Sequence, residues 1–283
     1  MFEKEKKKRN VSGCLRNSLP SLFIIIVVII IATITMVSHC DLSILNKYKK
    51  VLDELQIKVT EQEMAPNAIR TDDYELLKTD MNAFIENNND NAIFDENNGL
   101  IYDNILPEKI TFKDSTLTLN KKTLACFINS AMMAGWVEGF YDKEKNIQLL
   151  KILEVSTLKT TDGTTTITAV GKIDISSVKK YTDNSSVAEI VDAVNGEIYL
   201  TYTATFNSEV ISSAMRVNKL SDDSNDRLLS LVIVGLEGDP DKVILNQKLN
   251  SIMESVLSEL QKLCDFWNLD YSFEDEYLIL STK

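Results

Sequence analysis

The chain has 283 residues, a formal net charge of −12 and a single histidine, His39; 44% of its residues are hydrophobic and 25% are charged. Those proportions exclude a disordered or fibrous chain, and 9 glycines with 4 prolines exclude collagen-like and glycine-loop architectures. A domain without histidine cannot build a Ser-His-Asp triad, a Cys-His dyad or an imidazole metal site.

From Asn17 to Cys40 there is no Asp, Glu, Lys or Arg, and the centre runs Leu22-Phe23-Ile24-Ile25-Ile26-Val27-Val28-Ile29-Ile30-Ile31. At ~1.5 Å per helical residue this run is long enough to cross a hydrocarbon core of ~30 Å. It predicts a transmembrane helix over residues 19–38, behind a basic cytoplasmic tail over residues 1–18. No Ala-x-Ala site follows, so the segment reads as an uncleaved signal-anchor. Val37-Ser38-His39-Cys40 leaves a lipoprotein alternative open, although His39 stands where a small residue is expected. Residues 1–20 hold six Lys/Arg against Glu3 and Glu5, a net of +4 that leaves −16 for the rest. That asymmetry predicts a single-pass protein of the cell membrane, with a cytoplasmic N-terminus and an extracytoplasmic body. So acidic a body repels phosphate backbones, which excludes nucleic acid as a partner.

Residues 41–64 read as a helical stalk. Leu45, Leu52 and Val59 repeat every seven residues, with Tyr48 and Leu55 three after the first two. The same pattern also fits an amphipathic helix folded onto its own domain. Residues 65–107 read as an Asn-rich connection around one helix, which Thr71-Asp72-Asp73 begins and Tyr74, Leu77, Met81, Phe84 and Ile85 face with apolar groups. Asp95-Glu96-Asn97-Asn98-Gly99 has its glycine one position early for a calcium loop and reads as an Asx turn.

Residues 108–283 carry the main α+β domain. Leu117 and Leu119 belong to a strand, and Asn120 caps a helix with Leu124, Phe127, Ile128, Ala131 and Met132 at core spacing. Asp162-Gly163 turns a hairpin between residues 147–158 and 164–175, with Leu149, Lys151, Leu153 and Val155 on one face of its first strand. A capping box at Ser186 opens a short helix; residues 197–206 alternate as a strand, and residues 210–220 and 227–236 read as two more. The last helix, residues 240–267, carries Leu249, Ile252, Met253, Val256, Leu260 and Leu263 on its apolar stripe, with Glu259 and Lys262 on the polar side. A final hairpin splits at Glu274-Asp275-Glu276. The expected architecture is one curled antiparallel sheet packed on that long C-terminal amphipathic helix.

Thr116-Leu117-Thr118-Leu119-Asn120-Lys121-Lys122-Thr123-Leu124 resembles the strand-then-helix opening of the extracytoplasmic domain in YpmS-like proteins of Gram-positive bacteria. Val170-Gly171-Lys172-Ile173-Asp174-Ile175, Gly196-Glu197-Ile198-Tyr199-Leu200-Thr201-Tyr202 and Val217-Asn218-Lys219-Leu220 are similar to later strands of that group. The resemblance implies a single-pass envelope protein, with a lipid-related role and no defined activity.

The residues themselves point to no chemistry. Cys126 and Cys264 lie on separate helices without a CxxC, as buried free thiols or as a disulfide, and no Walker A, Gly-x-Gly-x-x-Gly or Gly-x-Ser-x-Gly string occurs. No enzyme activity, cofactor or metal is expected. Two functions remain open. In the first, an apolar or lipid-like ligand sits between helix and sheet, with Met132, Met133, Trp136 and Phe140 lining the mouth of the cleft. In the second, the chain is an envelope scaffold that meets a protein partner through its stalk or a sheet edge.

Overall fold

Asn120 joins the strand over Thr116–Leu119 to a buried helix over Lys121–Met133. In the structure, a computed structural model describing residues 60–87, 92–113, 116–134, 141–142, 147–148, 150–174, 197–221, 225 and 242–283, its Oδ1 accepts from the amides of Lys122 and Thr123. That cap satisfies two of the free N–H groups that open a helix. The segments read as residues 1–18 and 19–38, residues 41–59 of the stalk read over 41–64, the Ser186 helix and the strand over residues 227–236 lie outside the described residues; at the end of the stalk, Thr60 is an extended N-cap to a separate turn of helix over residues 61–64.

In chain order the helices are α1 (Glu61–Met64), α2 (Thr71–Phe84), α3 (Lys121–Met133) and α4 (Lys242–Trp267). The strands are β1 (Ile85–Asn87), β2 (Ile110–Phe112), β3 (Thr116–Leu119), β4 (Tyr141–Asp142), β5 (Ile147–Gln148), β6 (Leu150–Thr161), β7 (Thr164–Asp174), β8 (Glu197–Phe206), β9 (Ile211–Val217), β10 (Leu269–Glu274) and β11 (Tyr277–Thr282). All pairings are antiparallel.

These strands correct the expected α+β fold of one curled sheet wrapped on the C-terminal helix. The described chain is mostly β, parted into a four-stranded meander β6-β7-β8-β9, a three-stranded sheet β10-β11-β3, and the pairs β1-β2 and β4-β5. The C-terminal hairpin does not extend the meander, because Leu278 and Leu280 pair with Leu119 and Leu117 of β3 instead. The central helix is α3, whose Leu124, Ala125, Cys126, Phe127 and Ala131 share one core with α2, β3, β10, β11 and the inner face of β6. Helix α4 lies along β9 and β10 and keeps most of its expected stripe, with Leu249 and Met253 buried and Leu260 and Leu263 packed against the main core, whereas Val256 is 40% exposed and Glu259 only 8%. The buried Glu259 accepts from Nζ of Lys262, at 2.6 Å, while Lys262 itself stays exposed as its place on the polar side predicts.

No helix among the described residues is long and apolar enough to cross a membrane, and α4, the longest, carries Glu254, Glu259, Lys262 and Asp265. Among the described residues this stands against the expected single-pass membrane localisation; the segment read as the transmembrane helix, residues 19–38, lies outside them.

Two bulges in β6 shape the meander. Ile152 opposes Gly171 and Glu154 opposes Val170, so Leu153 is an extra residue; a second shift falls between Val155 and Thr157. A bulge moves side chains from one face to the other. Leu153 therefore leaves the face it was expected to share with Val155: it packs with Val170 and Tyr199, whereas Val155 and Leu158 join the main core. Asp162 and Gly163, at φ of 51° and 72°, turn β6 into β7 as their sequence predicts.

Candidate functional site

Both edges of the meander are closed by side chains that imitate a neighbouring strand. On β6, Asn129 of α3 accepts from the Ile152 amide at 2.9 Å and donates to the Ile152 carbonyl at 2.8 Å. Asn129 is fully buried and also meets Gln148 Nε2 and the Tyr74 hydroxyl, each at 3.3 Å. Farther along, the Ile69 amide donates to the Leu153 carbonyl and the Thr160 amide donates to the Asp275 carbonyl, each at 2.8 Å. On β9, Asn225 accepts from the Val217 amide at 2.6 Å and donates back to its carbonyl at 3.1 Å, while Asn250 accepts from the Ser213 amide at 2.7 Å. An amide side chain carries one acceptor and one two-hydrogen donor, the complement of a strand residue's outward pair. An edge so occupied does not template another strand. The sheet edge considered as a contact surface is therefore engaged at these positions.

The outer face of the meander is different, since it already holds a folded segment of its own chain: the single helical turn of α1, then a tight turn in which the Ala68 amide donates to the Ala65 carbonyl at 3.0 Å. Thr60 is itself extended and caps α1: its hydroxyl oxygen accepts from the Glu63 amide, and its own amide donates to Glu63 Oε2 at 2.9 Å. Residues 65–69 follow, with Pro66 and Asn67 in the turn, and lie against the sheet as a strap. Ala65 is buried against Leu153, Val170 and Tyr199, with Met64 and Ala68 at the margin, in a cluster distinct from the main core. Four polar tethers fix the direction of the strap. The Asn67 amide donates to Glu154 Oε2 at 3.1 Å, and its side-chain nitrogen to Oε1 at 3.3 Å. Lys172 reaches Glu61 at 3.2 Å, and Lys219 reaches Glu63 at 3.3 Å.

The groove that receives the strap thus has an apolar floor, a carboxylate that binds amide N–H groups, and two lysines on its rim. Glu154 is 7% exposed, and a carboxylate so placed needs hydrogen bonds, which Asn67 supplies. Lys172 is shared with Glu197, 2.8 Å away, and Tyr199 donates its hydroxyl to the other oxygen of Glu197 at 2.7 Å. Burial works to raise the Glu197 pKa, but the hydrogen bonds from Lys172 and Tyr199 leave it below the usual carboxylate value. Glu63 is held lower still, at about 2, first by the Thr60 amide, then by its hydroxyl and by Lys219. A depressed carboxylate gives its stabilisation above its unfolded pKa and loses it as pH falls through the folded value, so the Glu63 contacts persist until strongly acid pH.

Of the residues expected to line a cleft, Met132 is buried in α3 and Met133 is half-buried. A Cβ on Gly99 would stand 3.2 Å from Met133 Cβ, which places Met133 against the Asp95–Gly99 turn. Trp136 and Phe140 lie outside the described residues. Asp95 Oδ1 accepts from the Asn97 and Gly99 amides at 2.9 and 2.8 Å, the geometry of an Asx turn. Cys126 and Cys264 are buried and free, and burial pushes their thiols up to about 12 and about 11. Sequence reasoning missed the strap because it crosses the boundary drawn between residues 64 and 65. The only local signal was Thr60 with Glu63 followed by Pro66, a helix start cut short after one turn.

Comparison with known proteins finds no matching family, no matching curated protein and no matching solved structure. The YpmS-like resemblance rests on its sequence motifs alone.

Proposed function

We propose that the chain is a non-enzymatic protein-interaction module that uses the outer face of its four-stranded meander to hold an acidic–apolar peptide segment folded as a helical turn followed by a tight turn. The single observation behind this reading is the strap: one face of the sheet binds residues 61–69 through an apolar floor, a buried carboxylate and two lysines. Such a groove recognises peptide through an apolar pocket for one small side chain, a carboxylate that accepts from an asparagine amide and side chain, and lysines that pair with acidic residues. The packing on the other face weighs against the apolar-ligand alternative. Ile152, Ile167 and Ala169 of the meander pack on the same core as α3, and Met132 is buried at the end of that helix.

The two readings separate under a photoactivatable long-chain fatty acid added to the full chain, with the labelled residues mapped by mass spectrometry. The interaction reading predicts no saturable labelling of residues 121–133 or of the inward residues of β6 and β7. Saturable labelling there would show a ligand between helix and sheet and would overturn it.

A further inference from the structure

The turn over residues 95–99 joins two residues that its backbone demands and whose pairing is chemically fragile. Asn98 stands at a φ of 67°, in the left-handed region that asparagine tolerates better than most side chains. Gly99 is buried, and a Cβ there would stand 3.0 Å from Asp95 Oδ2 and 3.2 Å from Met133 Cβ. The flanking residues hold the loop on the core: Ile93, Phe94 and Leu100 are buried, and the Leu100 amide donates to the Ser130 carbonyl of α3 at 3.1 Å. An asparagine followed by a glycine therefore fits this turn. The same pair is the one whose asparagine cyclises most readily, because glycine puts no side chain beside the attacking main-chain nitrogen.

The contacts of that nitrogen stand against the reaction. The Gly99 amide donates to Asp95 Oδ1 at 2.8 Å, and the Asp95 amide donates to the Gly99 carbonyl at 2.8 Å. Attack requires the nitrogen to lose its proton and to turn toward Asn98 Cγ. A carboxylate on the N–H opposes the first, since loss of the proton would leave two anions face to face. The bond at the Gly99 carbonyl opposes the second. We propose that Asn98 is a deamidation site which Asp95 keeps silent while the loop is docked, and which reacts when the loop opens. In the open loop the Gly99 nitrogen bonds to Asn98 Cγ, and the carboxamide nitrogen leaves as ammonia with the amide proton. Water then opens the resulting succinimide to aspartate or isoaspartate. Either product adds a carboxylate next to Asp95 and Glu96, and isoaspartate also lengthens the main chain by an atom. Both changes oppose re-docking, so a reversible opening of the loop from α3 becomes a lasting one.

The test incubates the full chain in mildly alkaline buffer and follows residue 98 by peptide mapping and mass spectrometry, beside a synthetic peptide of residues 92–102. The folded chain should lose ammonia at Asn98 at least about tenfold more slowly than the peptide, as a docked loop protects it. Asp95→Ala, which removes the acceptor from the Gly99 amide, should speed the loss in the chain several-fold while leaving the rate in the corresponding peptide unchanged. Circular dichroism confirms that the variant chain is folded. A second measurement needs no variant: in the unaltered chain the Gly99 amide hydrogen should exchange with heavy water at least about tenfold more slowly than in the peptide. Equal deamidation in the folded chain and the peptide would overturn the proposal, as would a folded Asp95→Ala chain no faster than the unaltered one, or a Gly99 amide that exchanges as fast as the peptide's. Chain carrying the modification, isolated by its added negative charge, should show faster exchange at the Leu100 amide; exchange unchanged there would overturn the loss of docking.

Discussion

Replacing Asn129 by alanine should lower the stability of the protein by about 3 kcal/mol or more. The residue has no exposure, and its amide closes the Ile152 N–H and C=O on the edge of β6 while meeting Gln148 and Tyr74. Alanine leaves the two main-chain groups of Ile152 buried without partners, and each orphaned group costs ~1–3 kcal/mol. That sum is a large share of the ~5–15 kcal/mol that holds a typical domain together. It also outweighs the hydrogen bonds that water returns to the exposed parts of the network. Urea denaturation followed by circular dichroism reads the change as a fall in midpoint at constant slope. A loss below about 1 kcal/mol would mean that water replaces the asparagine, and the edge of β6 would then be open.

Trp267→Ala should cost as much for a different reason. The ring closes α4 onto the core, is 4% exposed and lies 5.8 Å from Phe112, which in turn lies 5.0 Å from Phe84. Its Nε1 donates to the Ile105 carbonyl at 3.0 Å, tying the end of the helix to the loop before β2. Truncating a buried tryptophan costs ~3–5 kcal/mol through lost transfer energy and the cavity left behind. Trp267→Phe retains most of the packing and loses the hydrogen bond, so it should cost only ~1 kcal/mol. The two variants, compared by thermal melting, divide the contribution of the ring between volume and polarity. Equal losses from both would assign the whole effect to the bond with Ile105.

The elements that the sequence made legible are those built from adjacent residues. Asn120 caps α3, Asp162-Gly163 turns β6 into β7, Asp275 sits at a φ of 50° in the last turn, and the alternation of residues 197–206 marks β8. Each is decided within a few residues by capping or turn chemistry. The errors share a cause as well. Alternation assigned Leu153 and Val155 to one face, but a bulge adds one residue between Ile152 and Glu154 and sends Leu153 to the other. Nothing in the local pattern marks that bulge; the positions of Asn129 and the strap do, and both are distant in sequence. Helical spacing likewise put Val256 inside and Glu259 outside, whereas the contacts of α4 with β9 and β10 turn Glu259 inward. The roles of Asn129, Asn225 and Asn250 were invisible for the same reason: an asparagine reads locally as turn chemistry, and only the fold places it beside a strand edge.

The groove on the meander is therefore known only through the contacts it makes, and it is best challenged by emptying and refilling it. Ala65 is 1% exposed in the strap cluster, so Ala65→Asp places a charge on the apolar floor and should expel residues 61–68 while Ile69 stays packed on the main core. A synthetic peptide with the native sequence of residues 60–70 is then titrated into the full-length variant and into the unaltered chain, and binding is followed by the fluorescence polarisation of a label on the peptide. Saturable binding to the variant, with none to the chain whose groove its own strap fills, is the predicted result. Absence of binding to the variant, or equal binding to both, would contradict the account of the meander as a peptide-holding surface.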